Sequence, residues 1–174
     1  MTGTGKIHIY SGDGKGKTTA AVGQIIRAAG CGLNILMFQY LKNNDSNELK
    51  ILEQIPNITC LPGRERTKFT NQMNSEEKAE LKHYNTKALD EIVKFCSPFD
   101  VLFLDEVLSA VELGLLSEDK LLSFLKHKPR GLEIIMTGHD ISERMLEAAD
   151  YATEMKKFKH PFDEGTSARA GIEF

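Results

Sequence analysis

Short, nearly continuous apolar runs alternate along this chain with longer segments whose apolar positions recur at helical spacing. The runs predict strands over residues 7–10, 34–39, 58–61, 101–104, 133–137 and 151–154. The helical patterns fall between them, over 18–29, 47–54, 75–96, 117–127 and 142–149. Ser75-Glu76-Glu77-Lys78 and Ser117-Glu118-Asp119-Lys120 read as helix starts, a capping serine followed by acids in the first turn. Strands apolar on both faces suit a parallel sheet covered by helices on either side. The fold class is therefore α/β, a doubly wound three-layer domain with a mostly parallel sheet and ligands at the C-terminal strand ends.

The first strand runs into Ser11-Gly12-Asp13-Gly14-Lys15-Gly16-Lys17-Thr18-Thr19, and a helix follows directly. A glycine-rich turn in that context lets backbone amides converge on a phosphate, with the helix N-terminus and Lys17 adding positive charge. Thr18 offers its hydroxyl to a phosphate-bound Mg²⁺. Ser11 stands where the usual spacing has its first glycine, so Gly12 and Gly14 are expected to supply the backbone freedom one step later. Downstream, Val101-Leu102-Phe103-Leu104 ends in Asp105-Glu106. Lying beside the P-loop strand, it would deliver one of those carboxylates to the metal, directly or through water. The two motifs imply a bound nucleoside triphosphate with Mg²⁺ and leave its fate open. Hydrolysis, phosphoryl transfer and attack away from phosphorus all remain.

Composition narrows this further. The chain has 174 residues, 41% of them hydrophobic and 27% charged, which suits one domain spanning 1–174. A net charge of −3 gives no general reason to expect nucleic acid as a partner. Cys31, Cys60 and Cys96 are isolated, which points to a reducing compartment and excludes a four-cysteine zinc lobe of the thymidine-kinase kind. The sequence carries neither a membrane-length apolar stretch nor a signal-peptide core, so the cytoplasm is expected. The polar stretch 62–74 reads as a binding loop or lid. The tail 159–174, with Pro161, Phe162, Ile172 and Phe174, is expected to dock on the body.

Over nearly its full length the chain resembles the P-loop class of ATP:corrinoid adenosyltransferases. The resemblance is carried by the 11–21 loop, by Arg27-Ala28-Ala29-Gly30 through Gln39-Tyr40-Leu41-Lys42, and by Leu104-Asp105-Glu106 and Thr137-Gly138. It continues through Ala149-Asp150, Thr153-Glu154-Met155 and Lys159-His160-Pro161-Phe162 to Gly171-Ile172-Glu173-Phe174, the ending with which that family's chains close. The family's loop also lacks the first glycine. The resemblance implies transfer of the 5′-deoxyadenosyl group of ATP to Co(I) of a reduced corrinoid, with release of triphosphate. ATP would lie reversed relative to ordinary P-loop hydrolases.

By the same resemblance Lys17, Thr18 and Glu106 are the catalytic residues, and Gly12, Asp13, Gly14, Lys15, Gly16, Lys17, Thr18 and Thr19 hold ATP. Arg27 and Lys42 become further phosphate or substrate contacts, and Thr18, Asp105 and Glu106 the holders of Mg²⁺ or Mn²⁺. His139 stands where the family has arginine, and Phe69, with Thr67 before it, where the family has an aromatic pair over the corrinoid. A homodimer and a flavodoxin-like reductant are implied too. The competing readings are a P-loop ATPase or nucleotide-binding regulatory module without corrinoid chemistry, and a nucleoside kinase.

Overall fold

The computed structural model describes residues 3–65, 68 and 70–173. Six strands form one sheet: β1 (Ile7–Ser11), β2 (Ile35–Gln39), β3 (Ile58–Cys60), β4 (Val101–Asp105), β5 (Glu133–Thr137) and β6 (Tyr151–Glu154). Their order is β3-β2-β4-β5-β1-β6, and every neighbouring pair is parallel. The helices are α1 (Lys17–Gly30), α2 (Leu49–Leu52), α3 (Ser75–Phe95), α4 (Val107–Glu112), α5 (Glu118–His127) and α6 (Glu143–Ala148).

The period-2 alternation of the strands sorts the core into two layers. Leu36, Phe38, Leu102, Leu104, Ile134 and Met136 face one way, packing with Leu89 and Ile92 of α3 and with residues of α4, α5 and α6. Ile35, Met37, Val101, Phe103 and Ile135 face the other, against Ala21, Ile25 and Ala28 of α1 and Leu49 and Leu52 of α2. This is the three-layer α/β architecture that the pattern implies. Among the described residues, no helix is long and apolar enough to cross a membrane.

Three details differ from the sequence reading. The strand after α3 does not lie beside the P-loop strand, because β5 is inserted between β4 and β1. The cap of α3 is Asn74, one residue earlier than the serine expected. Its side chain accepts from the Glu77 amide while the Glu77 carboxylate accepts from the Asn74 amide, a reciprocal capping box. Helix α4 carries no sequence signal: it starts straight from β4, no side chain caps it, and Val107, Leu108, Ser109 and Ala110 are all buried. Ser117 and Ser142 cap α5 and α6 by accepting from the Lys120 and Met145 amides.

The crossing of α4 beneath the end of β5 is close. A Cβ at Gly138 would stand 2.5 Å from both Leu108 Cβ and the Ser109 amide nitrogen. Gly138→Ala is therefore expected to destabilise the fold by about 1–3 kcal/mol, as overpacking does. A lower urea midpoint at an unchanged slope would register this.

Candidate active site

The C-terminal edge of the sheet gathers the polar residues that end otherwise apolar strands. Ser11, Gln39, Asp105 and Thr137 are the last residues of β1, β2, β4 and β5, and all four are buried. Buried polar groups need partners, and Gln39 and Thr137 find theirs in Asp105. The Thr18 hydroxyl (2.9 Å) and the Thr137 hydroxyl (2.6 Å) donate to Asp105 Oδ1. Gln39 Nε2 (3.0 Å) and Lys42 Nζ (2.7 Å) stand against Oδ2. Thr137 Oγ1 also accepts from the Glu106 amide at 2.8 Å, so one hydroxyl on β5 bridges Asp105 and Glu106.

The phosphate loop hangs from this edge. Gly12 has φ 105 and Gly16 φ 111, the left-handed conformations that other residues adopt at a cost. Gly14 is needed for space instead, since a Cβ there would meet the Met155 carbonyl oxygen at 2.6 Å. The Gly12 amide donates to the His139 carbonyl (2.7 Å) and the Gly14 amide to the Met155 carbonyl (2.6 Å). The Asp13 carboxylate accepts from the Lys157 amide at 2.8 Å, and that bond holds its pKa below the usual range. Lys17 Nζ lies within its own loop, donating to the carbonyls of Gly12 (2.7 Å) and Gly14 (2.9 Å). The first amides of α1 have no intrahelical partner, which leaves donors and partial positive charge at the loop's mouth.

Opposite the loop opens a cleft of about 880 Å³. Thr18, Thr19 and Glu106 line it on the phosphate side, residues 41–43 and 45–48 form a wall, and Lys68 and Thr70 stand on the loop before α3. Glu106 sits at φ 57, a conformation rare outside glycine, and Ser109 donates to its Oε2 at 2.7 Å. For Lys42, burial works against the charged form. The Asp105 carboxylate, with help from Glu48, outweighs it and raises the pKa.

The donor set decides which residues suit a hard divalent cation. Both oxygens of Asp105 are taken by four protein donors, whereas Glu106 carries a carboxylate facing the cleft beside the Thr18 hydroxyl. Gln39 Oε1 is a buried acceptor with no partner among the described residues. Oxygen donors of this kind, with room left for water and phosphate, fit Mg²⁺ held by Thr18 and Glu106, with Asp105 orienting the threonine.

Two residues from the sequence reading lie elsewhere. Arg27 is exposed in the last turn of α1, ten residues after Lys17 and so about 15 Å along the helix axis from the loop. The His139 backbone is built into the loop, but its ring is exposed. Its Nδ1 stands 3.4 Å from Asp140 Oδ1, and Glu112 is close by. Phe69 lies outside the described residues, as do Arg66 and Thr67. The sequence reading missed Gln39, Glu48, Ser109 and Thr137 as site residues. For Gln39 and Thr137 a signal existed: each is a polar residue closing an apolar strand.

In the tail, Phe162 and Ile172 are largely exposed, and it is Gly171, Ile172 and Glu173 that reach the cleft. Burial pushes the Cys60 thiol up to about 11, far from a nucleophile's range.

Residues 3–174 match the model of a known family, described as ATP:corrinoid adenosyltransferase BtuR/CobO/CobP. The chain belongs to that family. Membership carries the enzyme class with it, ATP-dependent adenosylation of corrinoids. The chain is 31% identical to the corrinoid adenosyltransferase of Escherichia coli strain K12, covering 98% of this chain and 86% of that one. It is 32% identical to corrinoid adenosyltransferase CobA of Salmonella typhimurium, with the same coverage of 98% and 86%. An uncharacterized protein of Nostoc, all2391, is 32% identical over 91% of this chain, which spans only 45% of that longer protein. Among solved structures, EssC (ATPases 2 and 3) from Geobacillus thermodenitrificans matches with a TM-score of 0.51 at 15% identity. The match covers 97% of this chain and 36% of that one, a likeness of fold.

Proposed function

We propose that the chain transfers the 5′-deoxyadenosyl group of ATP to Co(I) of a reduced corrinoid, releasing triphosphate, in adenosylcobalamin synthesis or salvage. The observation that carries this is the cleft. At about 880 Å³ it is near the upper end for a single small ligand, so a second reactant has room beside a nucleotide seated on the loop. A bond forms between cobalt and C5′, the C5′–O bond breaks, and its electron pair leaves with the triphosphate. No proton moves. That agrees with a site in which the buried carboxylate of Asp105 is fully engaged by donors.

The protein's part is to hold C5′ in line with the cobalt and to neutralise the departing charge. Lys17, Lys15, the amides from Gly16 to Thr19 and the N-terminus of α1 supply that neutralisation. A Mg²⁺ or Mn²⁺ held by Thr18 and Glu106 would add a Lewis acid for the leaving phosphates. Lys42 keeps the cleft wall in place through Asp105 and Glu48. Phe69, His139 and Arg27 belong to the proposal only through the family pattern. So do the single domain over 1–174, the homodimer, the cytoplasmic setting and the flavodoxin-like reductant.

The test is anaerobic, with purified protein, MgATP and chemically reduced cob(I)alamin. We expect the Co(I) absorbance band to disappear while a light-sensitive alkylcobalamin and triphosphate form in equal amounts. Persistence of Co(I) with ATP passing to ADP and phosphate would replace the transferase with an ATPase.

A further inference from the structure

The tail brings an internal ion pair to the mouth of the cleft. Arg169 donates from Nε (3.1 Å) and from a terminal nitrogen (2.9 Å) to the two carboxylate oxygens of Glu173, and its backbone amide donates to the same carboxylate at 2.9 Å. Backbone bonds from Ile172 and Glu173 to the Arg169 carbonyl close the segment into a single turn. Glu173 is mostly covered, its side chain 18% exposed, whereas Arg169 is 56% exposed. Gly171, Ile172 and Glu173 line the cleft together with Thr18, Thr19 and Glu106. Arg169 holds the Glu173 carboxyl at about 2, and Lys15 of the phosphate loop adds a smaller pull in the same direction. A carboxylate thus stands within the field of the phosphate loop, at the edge of the space a polyphosphate would enter.

Two facts make this arrangement exchangeable. A triphosphate brings several negative charges up against Glu173 and Glu106, and like charges at short range repel. The planar guanidinium fork fits a phosphate as well as a carboxylate, so Arg169 has an alternative partner of greater charge. We propose that Arg169 is a further triphosphate-contacting residue, held in reserve by Glu173 and handed to the phosphates when nucleotide enters. The turn 169–173 then moves as a unit, and Glu173 acts as a competitor for the nucleotide. This rests on the reading that the cleft takes the triphosphate of ATP.

Calorimetric titration with magnesium tripolyphosphate, and separately with MgATP, needs no corrinoid and tests the exchange directly. Arg169→Ala is expected to weaken tripolyphosphate binding about tenfold, the scale of one charge-assisted fork. Arg169→Lys should weaken it less. Glu173→Gln should tighten it severalfold by removing the competing charge. Opposite signs for the two positions are the signature, because a turn serving only to brace the tail would be broken by both variants in the same direction. Equal shifts, or no shift from either, overturn the proposal. Wild-type protein that binds neither probe overturns it together with the reading of the cleft. Unchanged melting temperatures establish that the variants compare folded molecules.

Discussion

Lys17→Ala is expected to lower kcat/KM for ATP in adenosyl transfer by about two to three orders of magnitude, the usual cost of losing one preorganised charge at a developing anion. The ammonium now rests on the carbonyls of Gly12 and Gly14, two acceptors of its own loop. A polyphosphate offers a stronger partner a short swing away. Because Lys17 begins a helix and is only partly buried, its removal should leave stability within about 1 kcal/mol. Initial rates under anaerobic conditions, with an unfolding curve beside them, separate the two effects. A variant with near-normal kcat/KM would mean that the triphosphate does not sit on this loop.

The other large effect is expected at Asp105. Its side chain is 0% exposed and accepts from Thr18, Thr137, Gln39 and Lys42. Asp105→Ala leaves the Lys42 ammonium with Glu48 alone, at 3.5 Å, and strands the Thr18 and Thr137 hydroxyls, while Gln39 Nε2 keeps its bond to Glu48. Breaking a buried pair in this way costs about 3–5 kcal/mol. Because Lys42 keeps some exposure, about 3 kcal/mol is expected, read from urea denaturation. Glu106→Gln provides the contrast, with stability near wild type and a raised Mg²⁺ requirement for transfer. Should the two variants behave the other way round, Asp105 would be the metal ligand and Glu106 the scaffold.

Much of this was legible in the chain. The strands are clearest in β2, β4 and β5, where burial on both sheet faces leaves no room for a polar residue inside the run. The loop from Ser11 to Thr19 was legible because glycine, lysine and threonine each answer a separate physical need. Sheet order was not. Nothing local in the segment 101–106 tells which strand will lie next to it, so the insertion of β5 and the role of Thr137 emerged only from long-range pairing. Helix α4 escaped for a related reason. Its first four residues are all buried and it starts without a cap, so it shows neither amphipathic period nor boundary signal.

The phosphate loop is tied to its neighbours before any ligand arrives, through the Gly12, Gly14 and Asp13 bonds to residues 139, 155 and 157. A loose glycine-rich segment would surrender conformational entropy at every residue it ordered, and each capture of nucleotide would be weaker by that amount. Here folding has already met that cost. Less ordering is then left for the nucleotide to impose, and less of its binding energy is spent on it.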